Sequence, residues 1–259
     1  MRSGRTVLLA ACVIAGSAFA GEPRSLYDEY WDYELQQNPF QATTSGDYRF
    51  NDRVPDVSES AQLDRLRKLG EFASKLDAPG TSLNADILRF ILEHELALAQ
   101  FAPWRIPFLS DAGFHMDIGY VVSSTRFEDI DDYRDYLARL EALTGFLEQN
   151  RVNMQLGIEA GFTQPREIMD NILASFDAQV TGSAETHPLY APFREMPDSL
   201  GPEQQSRLQQ QARRVLEENV IPAYADIRDF MHERYVPNAR TTLGASQLPD
   251  GEAWYAALV

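Results

Sequence analysis

Cysteine is nearly absent from this sequence: its 259 residues include one, Cys12. That residue lies in an N-terminal segment that we expect to be removed on export, which would leave a mature chain without cysteine. Disulfide bonds, thiolate nucleophiles and cysteine-ligated zinc are therefore excluded from the expected mature protein. Its fold must be stabilised by packing and hydrogen bonds.

Basic residues are also scarce, because 23 Lys and Arg stand against 39 Asp and Glu, for a formal net charge of −16. The acidic residues are spread along the chain rather than collected in a tail. Such a surface repels phosphate backbones, so we expect no nucleic-acid partner. It also disfavours binding to anionic lipid. The simplest interpretation is a soluble surface that repels other copies of itself.

No apolar run is long enough for a comfortable membrane span, and the most apolar one is N-terminal. Residues 1–20 contain a short basic region, MRSGR, an apolar region, TVLLAACVIAG, and the ending SAFA. This order is typical of a secretory signal peptide, with cleavage expected between Ala20 and Gly21. The run LAAC, which ends at Cys12, also resembles a lipobox, so a lipid anchor there is the alternative. Both interpretations predict export, to the periplasm or the medium.

Beyond residue 21 the apolar residues recur with helical rather than strand periodicity. The segments that we predict as helices are 26–37, 58–76, 84–101, 127–147, 154–158, 166–176 and 203–235. Pro222 is expected to kink or break the last helix, and Pro237 to end it. The segments 38–56, 103–127 and 186–197 lack this period and are rich in aromatic residues, Gly or Pro. The sequence predicts a mainly α fold, a multi-helix bundle of antiparallel hairpins joined by irregular loops.

Histidine is another scarce residue, with four in the chain. His94 and Glu95 open the zincin pattern H-E-x-x-H, which places two imidazoles one helical turn apart on a metal ion. The second histidine position is Leu98, so that site cannot form. We interpret His94, on the face of Ile87 and Ile91, as a hydrogen-bonded core histidine. We predict no metal ion and no cofactor bound by this chain.

Nucleophile and phosphate-binding motifs are missing as well: G-x-S-x-G, the P-loop and G-x-G-x-x-G do not occur. The carboxylates of residues 128–132 precede a long predicted helix, where negative charge offsets the helix dipole, and they lack the spacing of a calcium loop. Several aromatic residues suit either core packing or a substrate groove, and we leave both open: Tyr30, Trp31, Tyr33, Phe101, Trp104 and Phe108.

The segment YVPNARTTLGASQLPDGEAWYAALV, residues 235–259, resembles a run in the bacterial domain of unknown function family number 885 (DUF885). That family often has Y-x-P-x-x-R, then a Gly, then P-D-G-x-x-Y-Y-A. The residues that match here are Tyr235, Pro237, Arg240, Gly244, Pro249, Asp250, Gly251, Trp254, Tyr255 and Ala256. Trp254 stands where the family more often has Tyr. Other matching pieces follow in order along the chain: Asn38-Pro39 with Ala42-Thr43 and Gly46-Asp47, residues 136–140, residues 187–193, and residues 221–224.

The resemblance implies an exported, mostly helical relative of zincin metallopeptidases. The family's metal motif, H-E-A-x-P-G-H, and a later G-W-A-L-Y-A-E segment lie downstream of the P-D-G run, and neither occurs in this sequence. We therefore expect residues 21–259 to be the N-terminal part of a truncated domain, one wall of a larger two-part fold and inactive by itself. Zinc is expected only in the missing C-terminal part.

The resemblance also implies a substrate, a peptide or small molecule, bound in a cleft between the two parts. Our candidates for lining that cleft are Arg240, Asp250, Trp254 and Tyr255. An Arg can hold a carboxylate bidentately, and a Tyr can donate to a developing oxyanion. Turn formation and packing are the simpler interpretation of all four residues. The competing hypothesis for the whole chain is a stand-alone periplasmic binding or scaffold protein without catalysis.

Overall fold

The computed structural model describes residues 25–76, 78–80, 82–110 and 112–259. The predicted signal peptide at residues 1–20, with Cys12 and the cleavage position after Ala20, lies outside the described residues. Within the described ranges the protein consists of helices, short 3₁₀ turns and loops, without a β-strand. This agrees with the predicted mainly α fold. None of these helices combines the length and the apolar character that crossing a membrane requires.

The α-helices of the described residues are numbered in chain order. They are α1 (Leu26–Gln37), α2 (Pro39–Thr44), α3 (Glu59–Ser74), α4 (Leu83–Ala99), α5 (Phe114–Val122), α6 (Ile130–Glu159), α7 (Met169–Gln179), α8 (Pro202–Val215), α9 (Ile221–Phe230), α10 (Val236–Asn238) and α11 (Gly251–Leu258). Short 3₁₀ turns join several of them, among them Pro103–Arg105 and Pro188–Phe193.

Polar side chains at the N-caps determine where several helices begin. Ser58 Oγ accepts a hydrogen bond from the N–H of Ala61 at 3.3 Å, which starts α3. At the start of α6, Asp129 Oδ1 accepts from the N–H of Asp132 at 3.1 Å, and the Asp132 carboxylate accepts from the N–H of Asp129 at 3.3 Å. This capping box satisfies N–H groups that have no partner within the helix. The acidic residues 128–132 therefore form a helix start, as predicted.

Two main clusters of buried apolar side chains hold the helices together. The smaller lies between α1, α3 and α4 and has Leu69, Phe72, Leu88 and Leu92 at its centre. We call these three helices the α1–α3–α4 unit. The larger cluster gathers α5 to α10 around α6 and contains most of the fully buried side chains, including Tyr136, Leu140, Tyr224 and Met231. We call that part the large core.

From residue 202 to 238 the chain runs as one helical stretch that passes two prolines. A π-helical segment precedes each of them: Leu216–Val220 before Pro222, and Met231–Tyr235 before Pro237. Proline lacks an N–H and its ring clashes with the carbonyl four residues earlier in an α-helix. The wider π turn relieves that clash. The predicted break at Pro222 is therefore a local widening, and the stretch ends at Asn238, one residue after Pro237.

The structure corrects the predicted apolar face of α4. Ile87 and Ile91 were expected to face the core, but their side chains are 49% and 36% exposed. Leu88 and Leu92, one position along, are the buried ones. His94 lies partly exposed, with its ring stacked on Phe90 at 6.0 Å, so its interpretation as a hydrogen-bonded core residue is wrong. Apolar residues cover most of this helix, and periodicity alone fits more than one face.

Three other segments differ from the predicted helix pattern. The stretch 103–127, predicted without helical period, contains α5, which buries Phe114, Ile118 and Val121 along one side. The predicted helices at 127–147 and 154–158 are a single 30-residue helix, α6. The predicted loop at 38–56 contains the short α2. In each case burial against the large core, rather than local periodicity, decides the structure.

Candidate functional site

Arg240 follows α10, and its guanidinium contacts the protein's own backbone. Nε donates to the carbonyl of Thr163 at 2.9 Å, and Nη1 donates to the carbonyls of Thr242 at 2.6 Å and Gly244 at 3.0 Å. The N–H of Arg166 also donates to the carbonyl of Arg240, at 2.7 Å. Burial lowers the pKa of Arg240. In this conformation the side chain orders two loops, and its role in a substrate cleft stays a prediction.

The other three predicted cleft residues belong to α11 or its start. Asp250 is exposed and adopts a left-handed backbone, with φ of 52°. Trp254 packs edge-on against Phe162, with ring centroids 5.4 Å apart, and Tyr255 is 56% exposed. Arg240 and Trp254 therefore contact adjoining residues of one loop, whereas Asp250 and Tyr255 lie at the surface. No common point of convergence is visible among these four residues.

Several residues that carry the family resemblance connect segments that lie far apart in the sequence. The hydroxyl of Tyr235 accepts from the N–H of Gln164 at 2.9 Å, and the hydroxyl of Tyr136 donates to the carbonyl of Leu189 at 2.9 Å. Close packing requires glycine at position 251, because a Cβ atom on Gly251 would lie 2.0 Å from the carbonyl oxygen of Ala245. These residues are explained by architecture, since each one fixes a loop against a helix.

Arg139 also connects segments that lie far apart in the sequence, and its side chain is fully buried. Nε donates to the carbonyl of Arg53 at 2.8 Å, and Nη2 donates to the carbonyl of Phe50 at 2.8 Å and to Thr43 Oγ1 at 3.0 Å. No carboxylate among the described residues pairs with it at ion-pair distance. Burial lowers the pKa of Arg139 to about 10. A charged side chain thus ties the segment between α2 and Arg53 to the middle of α6.

A concave, mostly apolar groove of about 610 Å³ lies between α2, α5 and α6, and we call it the α2–α5–α6 groove. Its size lies in the range of small-molecule sites. Phe146 is central to it, because the ring packs edge-on against Phe40 at 5.6 Å and Phe114 at 6.3 Å. Val57 contributes from the loop before α3, and Trp104 contributes from the turn after α4. Of the aromatic residues that suited a groove, Trp104 is the one that lines it.

Polar groups lie along the same groove. Amide side chains contribute from α6, and Asp117 contributes a carboxylate from α5. Trp104 Nε1 and Asn153 Oδ1 are buried without a hydrogen-bond partner in the described part of the chain. Burial raises the pKa of Asp117, and no nearby charge opposes it. An apolar groove with a few polar groups and a perturbed carboxyl is the usual form of a binding site.

Sequence reasoning missed this groove because five separate chain segments build it. Its walls come from α2, residues 55–62, residues 104–107, α5 and α6. Asp117 lies in the segment that was predicted without helical period, so nothing in the sequence placed its side chain beside Phe146. The one available signal was the concentration of aromatic residues in that same segment.

The histidines do not converge on a metal site. His115 Nε2 lies 2.7 Å from Ser175 Oγ, and His187 Nε2 lies 3.1 Å from the carbonyl oxygen of Gln179. Burial lowers the pKa of His115 to about 4. Across the residues that the structure describes, no group of three or more His, Cys, Asp or Glu side chains has the arrangement to hold a metal ion. The described histidines and carboxylates therefore do not fit a zinc site.

Comparisons with known proteins agree with the resemblance found in the sequence. The family model described as "Bacterial protein of unknown function (DUF885)" matches residues 39–259. No curated protein matches the chain. Four solved chains match it, and one is described as "the putative lipoprotein from Colwellia psychrerythraea", with a TM-score of 0.79 and 18% identity. That similarity covers 89% of this chain and 44% of the neighbour. It shows a shared fold, and this chain spans less than half of the neighbour's length.

Proposed function

The chain belongs to the DUF885 family of bacterial proteins, and on that premise we propose that it is the N-terminal part of an exported, peptidase-like hydrolase. The zinc of that hydrolase would be held by residues beyond this sequence. Residues 21–259 would form one wall of the substrate cleft and would not hydrolyse substrate by themselves. Export is supported by the N-terminal sequence pattern and by a structural neighbour described as a lipoprotein.

The observation that carries this proposal is an exposed apolar face on α4, which we call the α4 face. Its residues recur at helical spacing along one side, with exposed fractions of 74%, 49%, 70% and 36% for Leu83, Ile87, Phe90 and Ile91. The opposite side of α4 packs into the α1–α3–α4 unit. A continuous exposed apolar stripe is typical of a contact surface.

The occupant that we propose for the α4 face is the polypeptide that follows α11 in longer members of the fold. α11 packs against α4, so chain that continues from it would start next to the helix that carries this face. More than half of the Colwellia protein lies outside the similarity, which leaves enough chain to cover it. The part that follows would thus be tethered beside its own docking surface.

Reading the gene past the codon for Val259 tests the proposal. We expect the same frame to continue into H-E-A-x-P-G-H, and the longer product to bind zinc and cleave peptides until a chelator removes the metal. The 259-residue chain should do neither. A stop directly after Val259, confirmed by resequencing, would overturn the proposal and favour the stand-alone binding or scaffold protein.

Dye binding by the isolated chain tests whether the α4 face is a docking surface. A hydrophobic dye should bind to the 259-residue protein, and Phe90→Glu should remove most of the fluorescence because it puts a charge in the centre of the α4 face. Leu63→Glu is the matched control: Leu63 is also exposed, at 56%, but lies on α3. Equal dye binding by all three proteins would argue against a docking role for the α4 face.

A further inference from the structure

We propose that the α2–α5–α6 groove binds an apolar organic cation, with the ammonium group at the carboxylate of Asp117 and the apolar body among Phe40, Trp104 and Phe146. The inference goes beyond the proposed function and does not depend on it. It requires only this chain, and it holds whether the longer protein is a hydrolase or a binding protein.

The first step of the argument is the isolation of the Asp117 carboxylate. Asp117 is half-buried, and among the described residues it has no hydrogen-bond donor and no ion-pair partner. The other residues that line the groove are apolar or neutral, so Asp117 provides its single charged group. A carboxylate withdrawn from water without a partner is unfavourable, and a cationic ligand would remove that cost.

The second step is the character of the walls around the carboxylate. The ring of Phe146 packs edge to face against Phe40 and against Phe114, and the three rings build an apolar floor. Trp104 faces the same groove from the loop after α4. Aromatic rings attract cations through their electron-rich faces and also bury hydrocarbon, so the walls suit both halves of an apolar ammonium compound.

The third step is the choice of charge. An anionic ligand would meet Asp117 and find no basic side chain among the described lining residues. A neutral ligand would fill the groove but leave the carboxylate unpaired. The net charge of −16 also draws cations towards the protein. An alkyl or aromatic amine and the N-terminal ammonium of a peptide share the chemistry that this site would recognise.

Three probes of similar size test which ligand charge the groove prefers. Phenethylammonium is cationic, 2-phenylethanol is neutral and 3-phenylpropionate is anionic. Titration calorimetry at pH 7 with the 259-residue chain should give the tightest binding for the cation and the weakest for the anion. Phenylalanine amide, added as a fourth probe, presents its ammonium as a peptide does. Tighter binding of this probe than of phenethylammonium identifies a peptide N-terminus as the source, and the reverse identifies a free amine. Both results support the proposal.

Two substitutions test the assigned contacts. Asp117→Asn should weaken phenethylammonium binding by roughly tenfold or more and leave 2-phenylethanol binding unchanged, because only the charge pair is lost. Glu93→Gln, which removes an exposed carboxylate on α4, is the matched control and should change neither. Trp104→Leu should weaken both probes by a similar factor. Circular dichroism confirms that each variant is folded.

The proposal is overturned if the anion binds as tightly as the cation, or if Asp117→Asn leaves cation binding unchanged. It is also overturned if none of the four probes binds to the wild-type chain at millimolar concentration. These outcomes are independent of the gene sequence beyond Val259, so failure here and failure of the proposed hydrolase can be told apart.

Discussion

The two main clusters of the fold each hold a buried or half-buried arginine, and the two arginines are held by opposite kinds of partner. In the α1–α3–α4 unit, Arg65 pairs with the carboxylates of Glu34 at 2.6 Å and Glu95 at 2.5 Å. In the large core, Arg139 bonds to neutral carbonyl and hydroxyl oxygens. The first arrangement joins three helices by charge, and the second anchors a loop to one helix.

The electrostatic consequences differ accordingly. Burial raises the pKa of Glu34 even though Arg65 opposes the shift. Burial lowers the pKa of Arg139 to about 10, because the carboxylates of Asp52 and Asp135 oppose the shift too weakly to offset it. The α1–α3–α4 unit also exposes the α4 face, whereas α6 is buried along most of its length. The large core thus buries its central helix α6, whereas the α1–α3–α4 unit presents an apolar surface suited to a further contact.

The largest effect should come from Arg139→Met, in the large core. The substitution removes the donors that Arg139 supplies to the carbonyl oxygens of Phe50 and Arg53 and to Thr43 Oγ1, and it detaches the α2 segment from α6. We expect a loss of about 3 to 5 kcal/mol in the free energy of unfolding, measured in urea. Arg134→Met, an exposed position on the same helix, is the control and should cost less than about 0.5 kcal/mol. Equal costs would contradict the role given to Arg139.

A somewhat smaller effect should appear in the pH dependence of the free energy of unfolding, through His115 in the large core. Burial lowers the pKa of His115 to about 4, whereas an unfolded histidine titrates near 6.5. Between these values the unfolded state binds more protons, so the free energy of unfolding falls as pH falls from about 6.5 to 4. The contribution of His115 to that fall is about 3 kcal/mol.

His115→Gln isolates this contribution. Urea unfolding of the wild type and the variant at several pH values should give a difference that is constant above pH 7. Below that the difference should shift in favour of the variant, by up to about 3 kcal/mol near pH 4. Parallel pH profiles for the two proteins would show that His115 titrates alike in the folded and unfolded states.

The smallest of the three effects should follow from Arg65→Met in the α1–α3–α4 unit. Two carboxylates would lose their partner, but both side chains are partly exposed, at 15% and 34%, so water can solvate them. We expect a loss of about 1 to 2 kcal/mol in the free energy of unfolding. Arg67→Met, an exposed position on α3, serves as the control. A loss of stability equal to that of Arg139→Met would contradict the difference that we infer between the two arginines.

Much of the helical architecture was predictable because strong periodicity and capping residues coincide. The predicted helix at 84–101 corresponds to α4 at Leu83–Ala99, and the predicted helix at 58–76 contains α3, which Ser58 caps. α5 was missed since nine residues between irregular loops give too short a pattern. The orientation of α4 was assigned wrongly because its sequence is apolar on more than one side, and only the packed partners choose between faces.

The candidate site was far less predictable than the fold. The chemistry of Arg240 is visible in the sequence, but the carbonyl oxygens that occupy its guanidinium come from loops whose paths the sequence does not specify. Asp117 shows no distinguishing pattern, and its environment depends on helices that lie far away along the chain. The buried state of Arg139 is equally invisible, since arginine is normally exposed and no neighbouring residue indicates otherwise.

The π-helical segments before Pro222 and Pro237 have a consequence for how lengths vary among relatives. Each segment accommodates one residue more than the same rise of α-helix would, as if a residue had been inserted there. Deleting one residue from Leu216–Val220 would restore α-helical winding and leave the direction of the side chains that follow nearly unchanged. Tyr224 and Ile227 would then still face the interior, but the clash of the Pro222 ring with the preceding turn would return. Single-residue gaps in alignments of this stretch should therefore come with a replaced proline and an unchanged core.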